Sequence, residues 1–274
     1  MREKGREMEG KISNWIKKGR SYYKNGQYEI ALEMFKEVLN IYPNNITALN
    51  KVGNIYYALN NLPEALSVYH NLRSICKRLG LFEKEREALE KIGRIYTLQG
   101  KYLTATNVYL EALTIYDQIE STDLKPKEEK VLLLYKIGDL YKRQKNYNKA
   151  LSLYNQLLQI HSEFGPLGGI ADDLADIGGI LEKQKEFPEA LKKLKEALHI
   201  YRLEKSMFKE TIILYEIGKI YYKLKNFPEA LLYLNDSLKN FRELGMNEPD
   251  EYYRTKIKEL ITNIEKNKIN SEKL

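Results

Sequence analysis

Residues 61–66 read NLPEAL, residues 186–191 EFPEAL and residues 226–231 NFPEAL. Weaker copies stand at 146–151 (NYNKAL), 101–106 (KYLTAT) and 27–32 (QYEIAL). Proline lacks a backbone N–H and has a fixed φ, so it suits the first turn of a helix, where no intrahelical donor is required. The glutamate that follows is favoured beside the positive end of a helix dipole. The next residue, alanine, is small enough to let a second helix approach. The phrase is therefore a helix start fused to a packing residue, and it recurs along the chain.

A second phrase, KIG and its variants, sets the register: Gly19, Gly53, Gly93, Gly138, Gly178 and Gly218. Three residues after each glycine stands Tyr22, Tyr56, Tyr96, Tyr141, Leu181 or Tyr221, and nine after it Tyr28, Leu62, Tyr102, Tyr147, Phe187 or Phe227. Twelve after it is always alanine: Ala31, Ala65, Ala105, Ala150, Ala190 and Ala230. Sixteen after it is Phe35, Tyr69, Tyr109, Tyr154, Leu194 or Leu234. Apolar residues three and four apart on both sides of a short polar break predict two helices per unit. A glycine inside a helix costs about 1 kcal/mol relative to alanine, so its recurrence points to a steric need where two helices cross.

This pattern resembles the tetratricopeptide repeat (TPR) family. In the first unit Trp15, Gly19, Tyr22, Gly26, Tyr28, Ala31, Phe35 and Pro43 occupy the family's signature positions; Lys18, where the family prefers leucine, departs. The resemblance covers about residues 12–244 and implies an all-α fold, a right-handed α-solenoid of six helix-turn-helix repeats. Successive glycines are 34, 40, 45, 40 and 40 residues apart. Against the family period of 34, the six extra residues predict one added turn on each helix flanking the repeat junction. Lengthened repeats of this kind resemble those of kinesin light chains, Pins/LGN-type adaptors and Rap-type regulators.

The expected organisation is a charged extension at 1–11 and repeats at about 12–45, 46–85, 86–130, 131–170, 171–210 and 211–248. STDLKPKEEK (121–130) reads as an exposed loop. Residues 249–268 place Tyr253, Ile257, Leu260, Ile261 and Ile264 at helical spacing, which predicts a helix capping the last repeat. Residues 1–10 and 269–274 are expected to be disordered.

Composition bounds the function classes. With 43% apolar and 30% charged residues the 274-residue chain has enough apolar material for a core. Its start, MREKGREMEG, has no apolar stretch of the kind a signal peptide carries. Nothing approaches the roughly 20 apolar residues of a membrane span. A soluble, cytoplasmic protein is expected. Cys76 is the single cysteine, which excludes an intramolecular disulfide, and its place in the repeat predicts a small buried hydrophobe. Of the net charge of +7, residues 1–24 (eight Lys and Arg, three Glu) and 254–274 (six against three) carry all the excess. Nucleic acid is disfavoured as a partner, because the excess charge is confined to the ends and the basic tail lacks the interleaved aromatics of single-strand binders.

No catalytic or metal constellation emerges. His70, His161 and His199 fall in second helices of different repeats, and no HExxH or CxxC occurs. GPLGGIADDLADIGG (165–179) is glycine-rich and enters a helix, yet it lacks the lysine and hydroxyl of a phosphate loop and opens with Asp172, Asp173 and Asp176. The carboxylates are expected at solvent-facing positions, none of them deeply buried. The chain is read as non-enzymatic, with no cofactor and no metal.

The resemblance implies a concave groove lined by first helices. Its positions here are Lys17, Arg20 and Lys24; Asn50, Lys51, Asn54 and Tyr57; Glu87, Glu90, Lys91 and Arg94; and Tyr135, Lys136, Asp139, Lys142 and Arg143. Asp172, Asp176 and Glu182 follow in repeat five, then Tyr215, Glu216, Lys219, Tyr222 and Lys223 in repeat six. The groove is thus expected to be basic over repeats one to four and acidic at repeat five. The function implied is an adaptor that binds a peptide or helical segment of a protein partner with an acidic stretch. A peptide-responsive regulator of the Rap type, nucleic-acid binding through the basic termini, and self-association stay open. The family's carboxylate clamp is disfavoured: at its positions stand Ile16, Arg20, Lys51, Glu87 and Lys91, and only the last keeps its charge type.

Overall fold

The computed structural model describes residues 2–119, 128–245 and 250–271, and the side chains of 8–118, 128–245 and 251–266. Those residues form thirteen α-helices and no strand. In order they are α1 Arg2–Lys24, α2 Tyr28–Ile41, α3 Ile46–Ala58, α4 Leu62–Arg78, α5 Phe82–Leu98, α6 Tyr102–Ile119 and α7 Glu128–Arg143. Then follow α8 Tyr147–Phe164, α9 Leu167–Gln184, α10 Phe187–Leu203, α11 Met207–Lys223, α12 Phe227–Leu244 and α13 Asp250–Ser271. This is the all-α repeat-solenoid class. The chain divides into two compact units, Met1–Gln144 and Lys145–Leu274.

In the first unit the helices pack in succession, from α1 on α2 through to α6 on α7. The mechanism at each crossing is the same. A Cβ added to Gly53 would stand 2.5 Å from Tyr69 Cε1, and one on Gly93 2.7 Å from Tyr109 Cε1. Gly19 meets Phe35 at 3.0 Å. The glycine is thus opposed chiefly by the large side chain sixteen residues on, while the alanine twelve residues on is fully buried beside it. Ala31, Phe35 and Val38 form one core with Ala48, Val52 and Ile55; Tyr69, Leu72, Ile75 and Cys76 form the next with Ala88, Ile92 and Ile95.

The length of the period is visible in the helices. At the 34-residue interval the flanking helices α2 and α3 have 14 and 13 residues, whereas α4 and α5, at a 40-residue interval, have 17 each. About one turn is added on each side of the junction. First helices accordingly begin at Phe82, Glu128, Leu167 and Met207, ahead of the starts expected at 86, 131, 171 and 211. Residues 2–10 belong to α1, and 269–271 to α13, so these parts of the expected disordered ends are helical. Of the expected loop at 121–130, residues 128–130 open α7 and the remainder lies outside the described residues.

In the second unit α8 to α13 pack in succession, and α9 also touches α11. Gly178 and Gly218 meet Leu194 and Leu234, with a Cβ at 2.7 and 2.8 Å. The helix α13 lies on both α11 and α12. It places Ile257 and Ile264 in a core with Tyr215, Leu234, Leu238 and Phe241, with Tyr253, Leu260 and Ile261 packed alongside.

Every described turn inside a repeat has one left-handed residue, seven positions after the repeat glycine: Gly26, Asn60, Gly100, Lys145, Lys185 and Lys225, with φ between +58° and +74°. The N–H groups around it close the first helix on its last carbonyls, as when Lys185 N–H donates to Leu181 and Glu182. The second helix then starts with Pro63, Pro188 or Pro228 at its opening positions.

Candidate peptide-binding face

The first-helix faces hold the sequence-predicted groove residues, and their side chains divide into engaged and unengaged groups. In the first unit Lys91 on α5 reaches back to α3. Its Nζ donates to Asn50 Oδ1 at 2.5 Å and to Asn54 Oδ1 at 2.9 Å. Tyr69 O–H also donates to Asn54 Oδ1, at 2.8 Å, and its ring lies beneath the Lys91 ammonium at 5.3 Å. Burial pushes the Lys91 amine down to about 8; Lys51, Lys84 and Arg94 act in the same sense, and Glu87 opposes them.

The two i,i+4 pairs suggested by spacing, Glu87–Lys91 and Glu90–Arg94, are not the ones the fold uses. Glu87 is held by Lys84 at 2.8 Å. Glu90 is held by Arg86 at 2.5 Å and by Lys136 from α7 at 3.1 Å. Asp139 holds Lys142 at 2.7 Å. The middle of the face is therefore largely neutralised from within. Arg94, by contrast, is exposed with no acceptor among the described residues. Tyr57 and Tyr135 are half-buried, and exposed Arg143 stacks over Tyr102 at 5.6 Å.

Cations with no acidic partner among the described residues concentrate at the amino end. Lys17, Arg20 and Lys24 of α1 and Lys51 of α3 border an open cleft of about 950 Å³. Ile12, Ile16, Tyr23 and Tyr42 supply apolar surface to it, and Glu9 is its single acidic residue. The Lys51 ammonium sits over the Tyr23 ring at 4.8 Å. Tyr23, Tyr42 and Asn45 were not foreseen in this site. Tyr42 and Asn45 belong to the α2–α3 junction, which no first-helix pattern marks.

In the second unit the expectations are corrected in two respects. Tyr215 was expected as a flat apolar contact, but it is 8% exposed, because Tyr253 of α13 meets it edge-on at 5.5 Å. Burial, followed by Glu216 and other neighbours, pushes its hydroxyl up to about 12. Nor are the carboxylates of repeat five free. Asp172 accepts from Tyr201 O–H at 2.6 Å and from Lys209 at 2.7 Å. Glu182, 4% exposed, is held by Lys223 and lies near Lys183 and Lys219. Burial alone would raise its carboxyl, but the Lys223 hydrogen bond and the nearby ammonium groups more than offset that and hold it low. Lys219 is bound to Glu216, and Tyr222 packs on Phe227 at 6.1 Å. Asp173 and Glu85 are also buried, against the expectation of solvent-facing carboxylates; His161 and Arg73 respectively stand beside them.

No cluster of three or more His, Cys, Asp or Glu able to hold a metal ion occurs among the described residues. No helix among them is long and apolar enough to cross a membrane.

The family model of the tetratricopeptide repeat matches residues 44–118 and 130–203, and a second TPR repeat model matches 19–60. The chain belongs to the tetratricopeptide repeat family. A TPR repeat-containing protein of Methanocaldococcus jannaschii is 27% identical over 146 residues, which is 53% of this chain and 23% of that protein. The chain thus matches less than a quarter of that relative's length. Among solved structures, the apo form of RapI superposes with a TM-score of 0.62 at 19% identity, covering 92% of this chain and 85% of that one. BtubC (BKLC) from P. vanneervenii also gives 0.62, at 12% identity and 87% and 91% coverage. MamA gives 0.55 at 19% identity, covering 72% and 94%. At these identities the likeness establishes the TPR fold. As a TPR protein, the chain is in general terms a scaffold for protein–protein interaction.

Proposed function

We propose that this TPR chain is a non-enzymatic adaptor whose amino-terminal first-helix face holds an acidic, partly apolar peptide or helical segment of a protein partner. One observation carries the reading: in the α1–α3 cleft, four cations and an apolar wall face a single acid. A segment with carboxylates on one side and large apolar groups on the other satisfies both, since charge complementarity sets register while buried apolar anchors supply affinity. Lys136 and Lys142 belong to the surroundings of the site, since their charges are already engaged.

The test uses a short labelled amphipathic peptide of glutamate and leucine, followed by fluorescence anisotropy. The wild type should bind it and reject the lysine–leucine counterpart. Lys17→Glu/Arg20→Glu should lose about tenfold or more in affinity, each close charge reversal removing on the order of 1 kcal/mol. Equal binding of both peptides, or an unaffected double variant, overturns the reading.

A further inference from the structure

The α3–α5 part of the first unit presents amide and guanidinium donors that have no acceptor among the described residues. Lysine can only donate, so the carbonyl oxygens of Asn50 and Asn54 must both face Lys91 Nζ. Tyr69 O–H fixes Asn54 the same way. The two amide NH2 groups are thereby turned away from Lys91, and neither has an acceptor among the described residues. The Arg94 guanidinium is equally unoccupied. These outward donors are complementary to carboxylates and peptide carbonyls.

We infer that Lys91 is the proton-bearing element of this face: an acidic segment lying against Asn50, Asn54 and Arg94 binds the ammonium form alone, so at alkaline pH binding takes up a proton. This rests on the acidic-peptide reading above. The charged groups around Lys91 are Lys51 on α3 and Lys84, Glu87 and Arg94 on its own helix. Tyr69 from α4 stays protonated, its hydroxyl pushed up by burial. Glu90 on α5 is held by Arg86 and by Lys136 of α7. Burial and the surrounding cations therefore leave the free protein with a half-neutral amine near pH 8. A ligand carboxylate restores the charge by supplying the missing anion. Deprotonated, Lys91 becomes an acceptor and the Asn50 amide is free to turn inward, so the donor surface is weakened although Tyr69 still holds Asn54.

The same labelled peptide serves as probe, at constant ionic strength between about pH 6.5 and 9.5. Wild-type affinity should be level up to about pH 8 and then fall towards tenfold per pH unit. Lys91→Arg cannot titrate in this range and should give a flat profile, while Lys91→Met should bind weakly and without pH dependence. Calorimetry at about pH 8.5, in two buffers of different ionisation heat, should show net proton uptake by the wild type and none by either variant. A wild-type profile parallel to Lys91→Arg, with binding intact, overturns the inference and leaves the adaptor reading standing. Failure of the peptide to bind at any pH overturns both.

Discussion

His161 Nδ1 lies 2.6 Å from Asp173 Oδ2, and the side chain of Asp173 has no exposed surface. The glycine-rich stretch between them accommodates the ring: a Cβ on Gly165 or Gly169 would stand 2.5 or 2.9 Å from His161 Cδ2. GPLGG is thus a cradle for a side chain of the preceding helix. It ties α8 to α9 in the second unit, which explains why it looks like a phosphate loop without its lysine.

Asp173→Ala should destabilise that unit by about 1–3 kcal/mol, because it removes the carboxylate partner of a half-buried imidazole. Asp173→Asn, which keeps an oxygen in place, should lose less. Hydrogen exchange of α8 and α9 is the readout, and both variants exchanging like wild type would exclude a stabilising role for the pair.

Glycines in this chain should answer to alanine with opposite signs. Gly53→Ala drives a methyl group into the Tyr69 ring and should cost about 1–3 kcal/mol. Gly179→Ala, on α9 with nothing within 4 Å, should stabilise by up to about 1 kcal/mol. Urea midpoints distinguish the two.

Lysine occupies left-handed backbone at 145, 185 and 225, where the first and third repeats have glycine. A side chain there costs about 1–2 kcal/mol, part of which glycine returns through its greater freedom in the unfolded chain. Lys185→Gly should therefore raise the urea midpoint, and Lys185→Ala should leave it about where it is.

Lys91 also gives stability a pH dependence. Its folded amine sits near 8 and its ordinary value is 10.5, so below pH 8 both states carry the proton and the fold bears the cost of burying it. Between 8 and 10.5 the folded chain gives up the proton while the unfolded chain keeps it, so stability rises with pH. Relative to Lys91→Met, the wild type should gain stability across that window. A difference that stays constant across it would contradict the burial of this ammonium.

Cys76 is fully buried between α4 and α5, and burial, together with Glu85 beside it, pushes its thiol up. A thiol reagent should leave the native chain unlabelled near pH 8 and modify it only as urea opens the second repeat. Rapid labelling without urea would show that α4 and α5 separate on their own.

The fold was legible because each repeat states its own packing. Gly53 and Tyr69 are sixteen residues apart, and the same spacing returns with Gly93 and Tyr109 and with Gly218 and Leu234. The added turns on α4 and α5 were readable as a longer period. The state of the charges was less legible, since it depends on contacts between repeats. Lys91 meets Asn50 from 41 positions away, and Lys136 meets Glu90 from 46. A helical wheel places these residues on the candidate face but cannot say which are already engaged. The burial of Tyr215 is illegible for the same reason, because its cover comes from α13. The left-handed lysines carry no turn signal at all, since lysine is not a turn former and its position alone marks it.

At Gly19, Gly53, Gly93, Gly178 and Gly218 the repeat glycine and the bulky residue that fills its notch belong to the same repeat. A genetic duplication of one 40-residue segment would therefore carry both halves of that fit together. The added copy would need no second change elsewhere in the gene to close its own helix pair, so arrays of this kind can lengthen or shorten in whole steps during evolution.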